Sequence, residues 1–228
     1  MRYVLCLILL CLFVPAYFTG CESAPPEPPA PVFSQKADFM LVAVFDVSGS
    51  CAETQEKKGY PLLLATIDKL FADRVGRNDR LVLARVSGST RSILWDGKPL
   101  ALRESFASGE DFRAFLEKGG GGGSRVNDSV TDAVEYVMGF PGVVQDHTCV
   151  MVLSDMLDNF PDSEQSRKKM IQTLGAYAKK GGSAAFFFTA QEETAKLRQD
   201  LATCGFRFPP VVEDEAAVSP ALPQFSSE

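Results

Sequence analysis

Three stretches of this chain are apolar at nearly every position: Phe39 to Phe45, Cys149 to Leu153 and Ala184 to Phe188. A strand with one face in water alternates apolar and polar residues, so unbroken runs of this length predict strands covered on both faces. The stretches between them carry helical periodicity. Pro61 suits a first helical turn, and Leu63, Ile67, Leu70, Phe71 and Val75 follow on one face. Further helical patterns begin near Glu110, Ser129, Ser163 and Gln191. Arg80 to Val86 and Ser92 to Trp95, separated by a turn at Gly88, read as a hairpin at a sheet edge, and a last strand is expected near Phe206. This order predicts an α/β fold: a doubly wound, mostly parallel central sheet with helices on both faces, right-handed crossovers and one antiparallel edge strand.

The ends of the chain follow other rules. Arg2 precedes an apolar run from Tyr3 to Val14, too short for a permanent membrane helix and the right length for the core of a signal peptide. Phe18-Thr19-Gly20 ahead of Cys21 resembles the lipobox of bacterial lipoproteins, which implies a leader over 1–20 and acylation of Cys21 as the mature N-terminus. Two or more acyl chains would hold such a protein stably on a membrane. Residues 21–37 are so rich in proline that they favour extended polyproline II, a spacer of roughly 3.1 Å per residue. Glu22 after the acylated cysteine resembles lipoproteins released to an outer membrane. The expectation is an exported protein anchored in the cell envelope, facing the periplasm if there are two membranes. The folded domain is placed at 38–212, and the Pro-, Ala- and Ser-rich tail at 213–228 is expected to be disordered.

Composition narrows the possible chemistry. Of 228 residues, 46% are hydrophobic and 23% charged, as in an ordinary globular chain, and the net charge is −6. A nucleic-acid backbone would be repelled, and the Arg167-Lys168-Lys169 cluster reads as a solvated helix face, so no nucleic-acid partner is expected. Cys6 and Cys11 would leave with the leader, and Cys51, Cys149 and Cys204 have no metal-ligand spacing, so one intramolecular disulfide at most is possible. With Cys51 in the loop after the first strand, the candidate pair is Cys149 with Cys204. His147, the single histidine, precedes a strand and has no plausible nucleophile beside it.

In doubly wound sheets, ligands bind beyond the carboxyl ends of the strands. Asp46 closes the first apolar run and opens Asp46-Val47-Ser48-Gly49-Ser50, and Asp155 closes the second in Leu153-Ser154-Asp155. By itself the first motif is also good turn and helix-capping material. Taken with Asp155, it resembles the metal-ion-dependent adhesion site of von Willebrand factor type A domains, and the resemblance spans about Phe39 to Val212. It implies a divalent cation, Mg²⁺ or alternatively Mn²⁺ or Ca²⁺, held by Asp46, Ser48, Ser50 and Asp155. It also implies a protein ligand that brings an acidic residue to the metal. Hard cations of this kind take oxygen ligands. The family's third motif supplies a Thr before a helix; here Asp128 stands at that place, with Ser129 and Ser124 as alternatives.

Remaining features carry less. Gly119 to Gly123 lacks a Gly-Lys-Ser/Thr ending and reads as a flexible connector beside the site. Glu53 and Glu56 fall in what reads as a polar loop from Cys51 to Tyr60. The functional expectation is a non-enzymatic, membrane-anchored, cation-dependent protein-interaction module. The alternative is a Mg²⁺-dependent phosphohydrolase or phosphotransferase using Asp46 as nucleophile, although Ser48 stands where such enzymes place a second Asp.

Overall fold

The computed structural model describes residues 37–72, 77–86, 88, 92–118, 123–143 and 145–217. The leader, Cys21, most of the linker, Val75, Gly119 to Gly122 and the tail beyond 217 lie outside the described residues. The elements run β1 (Met40–Asp46), α1 (Ala52–Thr54), a π-helical turn (Gln55–Gly59), α2 (Tyr60–Phe71), β2 (Arg80–Val86) and β3 (Ile93–Gly97). There follow α3 (Pro99–Ser105), α4 (Gly109–Glu117), α5 (Val126–Gly139), β4 (Thr148–Leu153), α6 (Ser163–Lys179), β5 (Ser183–Thr189), α7 (Gln191–Ala202) and β6 (Val211–Asp214).

The six strands form one sheet in the order β3-β2-β1-β4-β5-β6, parallel throughout except for β3, which pairs antiparallel with β2. The expected doubly wound architecture with its antiparallel edge is therefore present. Side chains alternate across the sheet, as strand geometry requires. Met40, Val42 and Val44 of β1, with Val150 and Val152 of β4, pack under α5, α6 and α7. Leu41, Ala43 and Phe45, with Cys149, Met151 and Leu153, pack under α2, α3 and α4. β1 and β4 are buried along their whole length because both faces are covered.

The same alternation excludes the expected disulfide. Cys149 and Cys204 are free, and the first belongs to the core on the α2 side while the second belongs to the core on the α5 side. The sheet lies between the two cores, and a disulfide spans only about 4.4–6.8 Å between Cα atoms.

Four sequence-based boundaries also shift. Helix begins at Ala52, not near Pro61, so the segment read as a loop from Cys51 to Tyr60 is helical, with a π turn inside it. Pro61 is tolerated there because the widened turn breaks the regular hydrogen-bond ladder. The last strand starts at Val211, past Pro209-Pro210, because proline cannot donate to a ladder. β6 continues to Asp214, and Lys58 Nζ donates to the Glu215 carbonyl at 2.6 Å, so the domain extends beyond the boundary at 213. At its start, Ala37 bridges to Val143 and is buried.

Candidate metal centre

The winding of the sheet reverses between β1 and β4: β1 leads outward to β2 and β3, and the chain returns on the other side to β4, β5 and β6. Asp46 is the last residue of β1, and Phe45 pairs with Leu153, the last residue of β4. Register alone therefore brings Asp46 beside Ser154 and within reach of Asp155. Parallel strands end at the same edge, so both carboxylates project from the carboxyl rim at the switch point.

Local hydrogen bonds fix each group. Asp46 is fully buried. Its Oδ1 accepts the Ser48 N–H (2.9 Å), and its Oδ2 accepts the hydroxyls of Ser154 (2.7 Å) and Ser124 (3.4 Å). The Ser48 and Ser50 hydroxyls lie 3.2 Å apart, and Ser50 Oγ donates to Asp155 Oδ2 at 2.7 Å. Ser48 is half-buried and Ser50 exposed, so the cluster opens to solvent on that side. The chain turns sharply after Asp155: Met156 has φ of 63°, a left-handed conformation that costs a side-chain-bearing residue of order 1 kcal/mol. That turn lets the Leu157 N–H reach back to Asp155 Oδ1 (2.9 Å), while Ser154 Oγ accepts the Met156 N–H (2.9 Å).

Asp46, Cys51 and Asp155 place one ligand atom each within 4.8 Å of one another. Two carboxylates so close repel each other, and a cation between them would relieve that repulsion. The surrounding donors fit a cation of the hard class, being carboxylates and hydroxyls. Cys51 has a different part. Burial, with the Asp46 carboxylate second, pushes its thiol well above the usual range, so the sulfur stays protonated and accepts the Asp155 N–H at 3.3 Å. It packs beneath the cluster as a small buried group and holds the backbone of Asp155.

The three candidates for the third position, Asp128, Ser129 and Ser124, take different places. Asp128 turns away from Asp46 and pairs with Arg125 (3.0 Å), which also reaches Asp162 (3.2 Å) and stacks on the Phe160 ring (4.0 Å). It occupies the first turn of α5, where a carboxylate is favoured by the helix dipole, and Arg125 is the cap residue. Ser129 is buried within α5, its N–H bonding the Arg125 carbonyl. Ser124 is the residue of this segment whose hydroxyl reaches Asp46. Thr131 bonds its own helix at the Asn127 carbonyl (2.8 Å). Glu53 and Glu56 also lie away from the cluster, exposed and paired with Lys57 and Arg113.

Sequence reasoning missed two contacts. The contact of Ser154 with Asp46 comes from the pairing of β1 with β4, which no local signal reveals. Gln55 is buried and donates Nε2 to the Leu153 carbonyl at 2.7 Å, although its sequence neighbours read as a polar loop. Among the described residues, no Lys or Arg hydrogen-bonds to Asp46, whose partners there are the Ser48 amide and the Ser124 and Ser154 hydroxyls.

No family model matches this sequence, and no curated protein matches it significantly. Solved structures do. The manganese-loaded TRAP protein of Plasmodium vivax superposes with a TM-score of 0.51 at 15% identity, over 75% of this chain and 65% of that one. The pilus adhesin SpaC from Lactobacillus rhamnosus GG, in its open conformation, gives a TM-score of 0.52 at 13% identity, over 81% of this chain and 28% of that one. A proximal thread matrix protein from the mussel byssus gives 0.46 at 12% identity, over 79% of this chain and 45% of that one. In each case the match covers less than two thirds of the other chain. At such identities the likeness to TRAP and SpaC is one of fold alone: this chain has the doubly wound, von Willebrand type A-like α/β fold that its strand order describes.

Proposed function

We propose that this protein is a divalent-cation-dependent protein-binding module, with Asp46, Ser48, Ser50 and Asp155 as the cation-holding residues and Ser124 completing the rim. The observation that carries the reading is the convergence of two buried carboxylates and two partly open hydroxyls at the switch point. When bound, the cation supplies a positive centre only partly neutralised by hydroxyl ligands, which attracts an outside acidic group. The chain's own residues do the rest. Cys51 and Leu157 fix Asp155, Ser154 and Ser124 orient Asp46, and Ser50 leaves one side open to solvent. That the neighbours in fold include a manganese-loaded protein and a pilus adhesin accords with this reading.

Attachment to a membrane through an acylated Cys21, in a bacterial envelope, belongs to the same proposal. Its support is the Phe18-Thr19-Gly20-Cys21 pattern and the proline-rich spacer that follows. Catalysis by Asp46 has weaker support, because an aspartyl nucleophile for phosphate needs a nearby cationic side chain and the partners of Asp46 are serines.

The test is capture from native membranes by crosslinking, with Mg²⁺ or with chelator, comparing wild type and Asp46→Ala. A partner captured only by wild type with Mg²⁺ is expected. Hydrolysis of p-nitrophenyl phosphate that disappears in Asp46→Asn would establish the enzymatic reading instead. Labelled palmitate incorporated by wild type and lost in Cys21→Ser checks the anchor.

A further inference from the structure

Beside the cation cluster, the helix after Ser50 breaks three local rules at one place. It contains a π turn at Gln55–Gly59, closed by the Tyr60 N–H bonding the Gln55 carbonyl. It carries a buried amide whose Oε1 has no hydrogen-bond partner among the described residues. It places a glycine in a helix interior, where its backbone freedom disfavours the helix. A buried acceptor left unpaired adds its desolvation cost.

The three features share one cause. One extra residue in a turn rotates everything before it by about 100° relative to α2, since α-helical residues are spaced 3.6 per turn. That rotation aims Gln55 inward while Glu53 and Glu56 face solvent. A Cβ at residue 59 would overlap Gln55 Oε1 and approach the Phe45 ring at 3.5 Å, so glycine there makes room for the carboxamide. What this arrangement yields is one hydrogen bond, from Gln55 Nε2 to the carbonyl of Leu153, the residue that closes β4 ahead of Ser154 and Asp155. At its other end, the same segment is bonded back to the first motif: Gln55 N–H to the Cys51 carbonyl (2.8 Å) and Cys51 N–H to the Ser48 carbonyl (3.0 Å). A continuous set of bonds therefore links Ser48, Cys51, Gln55 and the end of β4.

We propose that Gln55 is a positioning residue of the cation site, clamping the helix that follows the Ser48–Ser50 turn to the strand end that leads into Asp155, with Gly59 admitting its carboxamide. The inference rests on the reading of Asp46, Ser48, Ser50 and Asp155 as cation ligands. Mg²⁺ demands near-ideal octahedral spacing while Ca²⁺ accepts six to eight ligands in flexible geometry, so the clamp sets cation preference as well as affinity.

Titration calorimetry with Mg²⁺ and with Ca²⁺ on wild type and Gln55→Met tests it. Methionine fills similar volume and removes the unpaired oxygen, so the thermal midpoint in chelator is expected to stay unchanged or rise. Mg²⁺ affinity is expected to fall at least tenfold and Ca²⁺ affinity less than threefold. Gly59→Ala, which displaces the carboxamide with Gln55 intact, should lower the same ratio, and the double variant should be no worse than either single one. Wild-type Mg²⁺ and Ca²⁺ affinities in Gln55→Met would overturn the proposal. So would an equal loss for both ions with a lowered midpoint, which would mark Gln55 as a packing residue only. A wild type that binds neither ion would overturn the site reading itself, and this inference with it.

Discussion

Replacing Asp46 with asparagine separates a cation ligand from a turn residue, because the two roles predict opposite signs in the absence of metal. Asparagine keeps one oxygen for the Ser48 N–H, and its amide can donate to Ser154, whose hydroxyl has a second lone pair beside the one taken by the Met156 N–H. The loss is roughly one charge-assisted hydrogen bond, about 1.5–3 kcal/mol. Against it stands relief of repulsion with Asp155. Ligand atoms of these two residues lie within 4.8 Å, and two unit charges at that separation repel by about 3.5 kcal/mol at an effective dielectric constant of 20. In chelator, Asp46→Asn should therefore be as stable as wild type, or more stable by up to about 2 kcal/mol. With Mg²⁺ at a hundred times its dissociation constant, wild type gains about 2.7 kcal/mol and the variant nothing, so the order reverses. For a domain of this size that gain is a rise of about 5–11 °C in the midpoint, readable by calorimetry or circular dichroism at fixed pH. A variant about 2 kcal/mol or more below wild type in chelator, with no response of wild type to Mg²⁺, Mn²⁺ or Ca²⁺, would refute the reasoning and leave Asp46 as a buried turn acceptor.

Further outcomes follow from the same contacts. Ser124→Ala should weaken Mg²⁺ binding several-fold in calorimetry, while Asp128→Ala, which loses only the Arg125 pair, should leave it within about twofold; the reverse ranking would restore Asp128 to the site. Burial raises the Asp132 carboxyl above its ordinary range despite the Ser92 hydroxyl bonded to it. A raised acid binds its proton more tightly in the fold, so that contribution falls as pH climbs from the ordinary carboxylate value through the raised one. Asp132→Asn should accordingly have a higher midpoint than wild type at neutral pH and lose that advantage at acid pH, and a wild type more stable than the variant at neutral pH would refute the assignment. Protein matured under oxidising conditions should show Cys51, Cys149 and Cys204 as free thiols on denaturation, and tryptic mapping that finds a Cys149–Cys204 bridge would contradict the two-sided core.

The sequence by itself determined the layers, the strand direction and the two carboxylates. Unbroken apolar runs such as Met40 to Phe45 can be buried only between two helical layers, and a sheet so covered is parallel, which puts Asp46 and Asp155 on one rim. These are consequences of local pattern and chain direction. Tertiary structure decided what depends on which elements become neighbours. The pairing of β1 with β4 delivered Ser154 to Asp46, the path of the segment before α5 delivered Ser124 and turned Asp128 toward Arg125, and the sheet parted Cys149 from Cys204. The π turn was illegible for the same reason. Gln55, Lys57 and Lys58 look like a solvated loop until the Leu153 carbonyl, 98 residues further along the chain, gives the glutamine its reason to be buried.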